Sequence, residues 1–182
     1  VPDTPRLHLR RPRLEDAEPF AALNADPEVA RFVSPTGPLV RAESDLLLRK
    51  MIEHWDDHGL GLWMADLRST GELAGFVGLA HPGTLPALST EVEVGWRLGR
   101  AHWGRGLATE GGQEAVRVAF AHPGRERLVC IVDRDNARSL AVARRLGFAF
   151  WRDMDHPRWP RGVQVLTLTR ATFDAACAPS PP

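Results

Sequence analysis

The chain has 182 residues, 43% of them hydrophobic and 25% charged, and its 23 Lys and Arg balance 23 Asp and Glu. That size and composition suit one domain with a full core, not a disordered chain, and a neutral balance gives no reason to expect nucleic acid or an anionic membrane as partner. Two absences exclude more: the chain contains no tyrosine, and Lys50 is its only lysine. In chain order, residues 6–11 alternate apolar and basic side chains and predict a first strand. Residues 15–24 predict a short helix, followed by Asp26-Pro27-Glu28, an N-cap with proline at the first helical position. Residues 43–58 form the clearest amphipathic helix, with Leu48, Met51, Ile52 and Trp55 at i, i+3, i+4 and i+7 and Gly59 as its stop. Lys50 lies beside that stripe in Leu48-Arg49-Lys50-Met51, without the glycines of a Walker-type loop, and reads as solvated instead of as a Schiff-base nucleophile. His54 and His58 on the same helix have zinc-helix spacing, but Trp55 replaces the expected glutamate and no third ligand suggests itself. No metal site is expected.

The period then becomes strand-like. Residues 60–67 and 73–80 predict a hairpin around Ser69-Thr70-Gly71, and a Pro- and Gly-bearing loop, 82–88, leads to a strand over 90–98. There Val92, Val94, Trp96 and Leu98 alternate with Glu91, Glu93, Gly95 and Arg97, giving one apolar and one polar face. A helix is predicted over 107–121, a buried strand over 128–133, a helix over 137–146, and strands over 148–155 and 163–169. Cys130 reads as a small buried hydrophobe, and with Cys177 it cannot make a disulfide framework. Antiparallel strands first, then alternating strands and helices, predict a mixed α/β (α+β) sheet with helices on its faces. A single domain is expected over 1–175, with residues 176–182 a disordered tail. Val1-Pro2-Asp3-Thr4-Pro5 does not read as a signal peptide and no stretch approaches a membrane span, so a cytoplasmic protein is expected.

Two stretches could carry chemistry. Val94-Gly95-Trp96-Arg97-Leu98 feeds Trp103-Gly104-Arg105-Gly106-Leu107-Ala108-Thr109-Glu110, a strand running through a glycine loop into a helix. Glycines let the backbone approach a ligand, and a helix's first turn has unpaired N–H groups, so the loop suits an anion such as pyrophosphate, with Arg105 adding charge. A ligand-free strand-to-helix turn is the plain alternative. A Rossmann loop fits poorly, because Thr109 stands where a third glycine is required. Downstream, Asn136 begins a helix that carries Ser139, and Gly147 reads as a helix stop. Alone, these are an N-cap, a surface serine and a C-cap.

Together and in this order the blocks resemble the GNAT superfamily of acetyl-coenzyme A-dependent N-acetyltransferases. Thr4-Pro5-Arg6-Leu7, Asp26-Pro27-Glu28-Val29, Glu93-Val94-Gly95-Trp96, residues 103–110, Asn136-x-x-Ser139 and Leu146-Gly147-Phe148 resemble its ribosomal-protein N-acetyltransferase (RimJ/RimL-like) branch. The family's pyrophosphate signature falls on residues 103–108, with Trp103 in place of the superfamily's Gln or Arg. The resemblance implies a mostly antiparallel sheet splayed between two central strands, with acetyl-CoA as co-substrate. It implies that the backbones of Trp103, Gly104, Arg105, Gly106, Leu107 and Ala108 hold the pyrophosphate. Those of Trp96, Arg97 and Leu98 would pair with pantetheine and polarise the thioester carbonyl, and Asn136 would bind the pantetheine arm. The family's usual proton donor, a tyrosine, does not exist here, and Ser139 takes that place near the thiol sulfur. Glu93 is the expected base for the amine and Glu91 the second candidate, against the reading that a strand carboxylate merely pairs with an arginine on the next strand.

The implied acceptor is a primary amine, foremost a protein N-terminal α-amine. A small-molecule amine (polyamine, amino acid or aminoglycoside-like) or a non-catalytic acyl-CoA-binding module are the alternatives. The acceptor pocket is expected from the first two helices and the loops 82–88 and 156–162, the latter carrying Arg158, Trp159 and Arg161. An exposed tryptophan-bearing surface would be compatible with a homodimer.

Overall fold

The computed structural model describes residues 2–157 and 159–178; Arg158 and most of the expected tail, residues 179–182, lie outside the described residues. The elements run β1 (Leu7–Arg10), α1 (Ala17–Ala25), α2 (Pro27–Ala30), α3 (Arg41–His58), β2 (Leu62–Leu67), β3 (Leu73–Ala80) and β4 (Glu93–Leu98). They continue with α4 (Leu107–Ala121), β5 (Arg127–Asp133), α5 (Ala137–Arg145), β6 (Ala149–His156), β7 (Trp159–Thr169) and α6 (Arg170–Cys177). The strands form one seven-stranded sheet in the order β1-β2-β3-β4-β5-β7-β6. Every neighbouring pair is antiparallel except β4 and β5.

Strand alternation distributes the core over both faces. Val94 and Leu98 of β4 and Leu128, Cys130 and Val132 of β5 pack with Leu107, Ala115, Val116, Ala119 and Phe120 of α4 and Leu140 and Ala143 of α5. Met64 of β2 and Phe76 of β3 instead meet Phe20 and Leu23 of α1 and Leu48 and Met51 of α3. A third cluster joins Leu85 and Leu88 of the β3–β4 connection to Val129, Val163 and Val165. Of the α3 stripe, Leu48, Met51 and Trp55 are buried. That helix starts earlier than its periodicity suggests, at Arg41, because the Glu43 carboxylate accepts the Val40 N–H at 3.0 Å.

Two glycines set how closely α4 approaches its neighbours. A Cβ on Gly111 would stand 2.6 Å from Val77 Cγ1, and one on Gly112 would stand 2.7 Å from Leu146 Cδ1. Each glycine costs helix propensity relative to alanine, by about 1 kcal/mol, but Gly111 lets the start of α4 approach β3 closely and Gly112 lets it approach the end of α5.

Two elements depart from the sequence reading. The expected loop over 156–162 is the end of a hairpin, with His156 paired to Trp159. Pro160 is compatible with strand there because β5 pairs with β7 only from Val163 onward, so this end of β7 has no ladder on that side. Helix α6 is absent from the sequence reading; the Thr169 hydroxyl caps it by accepting the Thr172 N–H at 3.2 Å, and Phe173 stacks on Phe120 with centroids 4.9 Å apart. The tryptophans also differ from expectation. Trp55 and Trp63 are buried and the other four half-buried, so no tryptophan is among the exposed large apolar side chains of the described residues, which are Leu14, Val40, Leu46 and Phe150.

Candidate active site

Strands β4 and β5 run side by side for a single residue pair, Glu93 with Val129, and then diverge. Backbone direction follows from the bonds at either end of β4. Val92 O accepts the Val129 N–H at 3.0 Å, whereas the Gly99 N–H donates to Ala74 O, on the β3 side, at 2.9 Å. With a period of two, residues 93, 95 and 97 bond to β3, and the amides of Val94, Trp96 and Leu98 turn toward β5. Past the fork no strand stands there to receive Trp96 and Leu98. The Leu98 carbonyl is taken instead by the indole Nε1–H of Trp103 at 2.8 Å, which leaves both N–H groups facing the gap.

The gap widens into a cleft of about 1130 Å³. Trp96, Arg97, Leu98, Trp103, Gly104, Gly106, Leu107, Ala108, Asn136 and Ser139 all line it. Gly104 and Gly106 adopt φ of 71° and 77°, left-handed values that L side chains rarely take, and turn the chain straight into α4. No side chain caps α4, and its first backbone bond runs from the Glu110 N–H to Gly106 O at 3.0 Å. The N–H groups of Leu107, Ala108 and Thr109 therefore lack intrahelical acceptors and present the positive end of the helix dipole to the cleft. Trp103 is no mere substitute at the first signature position: it bonds to β4 and carries the Arg138 guanidinium 4.6 Å above its ring, so it joins β4 to α5 across the mouth.

Arg105 is placed differently from the reading that its charge faces the anion. It is exposed and absent from the lining; its carbonyl accepts from Arg6 Nη1 at 2.7 Å. Arg6 lines the cleft instead. Its Nε and backbone N–H donate to the Glu110 carboxylate at 2.6 and 2.8 Å, and the Thr4 hydroxyl adds a third bond at 2.6 Å. Burial raises the Glu110 pKa, but these bonds outweigh it and hold the group below its ordinary value. The acid in the first turn of α4 is thereby paired, and it does not oppose an anion beside it. Sequence reasoning missed Arg6, just before β1, and Arg138 and Arg145 of α5, which line the cleft, because no local spacing relates the N-terminal arginine to those of α5.

Asn136 caps α5, its Oδ1 accepting the Ser139 N–H at 3.1 Å. Its Nδ2 donors and the Ser139 hydroxyl make no hydrogen bond among the described residues, and both residues are half-buried in the cleft wall. The cap reading and the ligand reading are thus compatible, since they use different atoms of one amide.

The two candidate carboxylates have different surroundings. Glu91 forms a bidentate pair with Arg127, the first residue of β5, as expected for a merely structural acid. Glu93 has no ion pair among the described residues. It stands at the vertex of the fork, behind the lining residues of the cleft. The residue keeps some accessible surface, but its carboxyl is enclosed: desolvation raises its pKa to about 7, opposed only by the backbone N–H of Ile131.

The loops expected around the acceptor are arranged otherwise. Glu28, Val29, Arg31, Phe32 and Val33, from α2 and the turn after it, line the cleft, but no described residue of the 82–88 and 156–162 segments does. Leu85 and Leu88 pack on β5 and β7, with Trp159 against them, and Arg161 pairs with Asp135. The histidine pair of α3 does acquire a third member, His81, with ring centroids 4.5–5.8 Å apart. His54 already bonds through both nitrogens, Nδ1 to Leu60 O at 3.0 Å and Nε2 from the His81 N–H at 3.1 Å. Among the described residues no group of three or more His, Cys, Asp or Glu is placed to hold a metal ion.

A forked sheet, strand amides facing a gap and a glycine loop opening into a helix thus meet at one cleft. The model of the acetyltransferase (GNAT) domain matches residues 6–149. The uncharacterized N-acetyltransferase p20 of Bacillus licheniformis is 29% identical over 149 residues, 80% of each chain. An acetyltransferase from Agrobacterium tumefaciens superposes with a TM-score of 0.78 at 29% identity, covering 93% of this chain and 95% of that one. The aminoglycoside acetyltransferase AAC(6')-Ib, solved with coenzyme A, shares the fold at 15% identity, with a TM-score of 0.76 over 94% and 99% of the two chains. The chain belongs to the GNAT acetyltransferase family and is an acetyl-CoA-dependent N-acetyltransferase.

Proposed function

We propose that the chain acetylates a primary amine through this fork, with a protein N-terminal α-amine of the ribosomal-protein type as the first acceptor to test. The observation that carries the proposal is the gap after the Glu93–Val129 pair, where strand amides and the unpaired first turn of α4 face one cleft. The N–H groups of Leu107, Ala108 and Thr109, with Gly104 and Gly106 in the loop, suit the pyrophosphate; those of Trp96 and Leu98 suit the pantetheine arm and thioester carbonyl. The acceptor preference rests on the blocks at residues 4–7, 26–29 and 103–110. A small-molecule amine would need the same chemistry with a different fit.

In the proposed step Glu93, reached through water, takes a proton from the ammonium form. The free amine nitrogen then bonds to the thioester carbon. Carbonyl electrons move to an oxyanion held by a β4 N–H, and collapse breaks the carbon–sulfur bond. The departing thiolate takes the Ser139 hydroxyl proton, and the nitrogen gives up its second proton through water to restore Ser139, leaving the neutral amide. A base with a pKa near 7 suits the task, being ionised at neutral pH yet basic enough to accept the proton. The test is the pH–rate profile: wild-type kcat/KM should fall below about pH 7 as Glu93 protonates, and Glu93→Gln should lose activity and that acid limb. An acid limb unchanged in Glu93→Gln would remove Glu93 from the role.

A further inference from the structure

Arg97 has a side chain that the transfer step leaves unused. Its guanidinium lies 5.1 Å over the Phe76 ring, on the α1 and α3 face of the sheet, and its Nη1 donates to Asn24 Oδ1. Both neighbours are neutral. Among the described residues the buried Nε has no hydrogen-bond partner, and their ion pairs do not include Arg97. Arg10, also largely covered, shows the contrast: Asp16 and Asp66 both pair with it. A covered cation without a counter-ion is costly unless something else supplies one. Desolvation lowers the Arg97 pKa to about 10, which leaves it charged at neutral pH.

The floor beside Arg97 is open. Glu93, Gly95 and Arg97 share one face of β4, with side-chain positions about 6.6 Å apart along the strand. Within 4 Å a Cβ added to Gly95 would meet only Leu62 Cδ2, at 3.8 Å, so there is room directly over Gly95, between the acid and the guanidinium in sequence. Arg97 lines the cleft, and so do Arg31 and Phe32 from the turn after α2, which adds a second positive charge to the same cleft.

We infer that Arg97 determines acceptor specificity, its guanidinium pairing with an acidic group that the acceptor carries a few bonds from its amine. This rests on the acetyl-transfer reading above and deepens it. The amine lies over Gly95, toward Glu93, and the anion lies toward Arg97. A free acidic amino acid and a peptide beginning with Asp or Glu share that chemistry.

The experiment uses the full chain, saturating acetyl-CoA and free-thiol release with matched acceptors: glutamate against glutamine, aspartate against asparagine, and peptides beginning with Glu against those beginning with Gln. The acidic member of at least one pair should be preferred by about tenfold or more in kcat/KM, and which pairs respond tells a free amino acid from a peptide. Arg97→Met should abolish the preference through acceptor KM, with acetyl-CoA KM unchanged because the Arg97 backbone bonds to β3 and its guanidinium lies over Phe76, away from the amides of Trp96 and Leu98; Arg97→Lys should retain part of it. Gly95→Ala, whose added carbon has room, should fold and raise acceptor KM. Equal rates for acidic and neutral members, or an Arg97→Met effect on acetyl-CoA KM instead, would overturn the inference while leaving transfer intact. Absence of thiol release with every amine, acidic or neutral, would overturn the transfer reading and this inference with it.

Discussion

Glu93 and Glu91 are the same residue type two positions apart, and their surroundings separate them. Arg127 occupies Glu91, while Glu93 is enclosed where the two central strands part. Enclosure makes Glu93 a stability element as well as a candidate base. Its folded pKa of about 7 lies above the ordinary 4.5, so between those values the folded chain binds a proton that the unfolded chain does not. That stabilisation is complete below 4.5 and is lost as pH rises through 7. Glu93→Gln should therefore gain thermal stability relative to wild type as pH goes from 5 to 8, read as the difference in Tm; a difference constant with pH would contradict the enclosure. Ser139 is the simpler case. Ser139→Ala should lower kcat by roughly 10²-fold, the low end for a lost general acid, with acetyl-CoA KM nearly unchanged. Wild-type kcat across the pH range would exclude it. Both residues were legible in the sequence through the family blocks. The different fates of Glu91 and Glu93 were not, because they depend on Arg127 and on the fork, which local alternation does not encode.

Among elements, α5 shows how one residue serves fold and site together. Asn136 Oδ1 caps the helix and leaves Nδ2 for a ligand. Asn136→Ala should cost about 1 kcal/mol of stability and raise acetyl-CoA KM. Asn136→Asp keeps the accepting oxygen and loses the donors, so it should raise KM while retaining most of the stability; equal KM in Asp and wild type would show that the amide donors bind nothing. For α4 the close approach to β3 predicts that Gly111→Val overpacks against Val77 and destabilises the chain by roughly 1–3 kcal/mol, measured by denaturant unfolding. Helix α4 stands where its periodicity put it, since it has a clear buried face, and β3 stands where its apolar run put it, since it is buried on both faces. Helix α6 was not legible because Phe173 is its one large apolar residue, and its packing partner, Phe120, is distant in sequence. The start of β7 was hidden by Pro160, whose place beyond the β5 ladder only the sheet order reveals.

At the scale of the molecule, the site exists because distant parts of the chain meet. The N-terminal strand is tied to α4 through Thr4, Arg6 and Glu110, and α5 is tied to the β4–α4 loop through Arg138 over Trp103. The family blocks made the loop, the fork and Asn136-x-x-Ser139 readable, but not the arginines that converge on the cleft or the withdrawal of the 82–88 segment to β5 and β7. No helix among the described residues is long and apolar enough to cross a membrane. The most direct test of the account combines calorimetric binding of acetyl-CoA with free-thiol release against peptides of varied first residue and a set of small amines. The account predicts binding together with release of one thiol for each amine acetylated. Binding without thiol release from any amine would contradict it and leave an acyl-CoA-binding module.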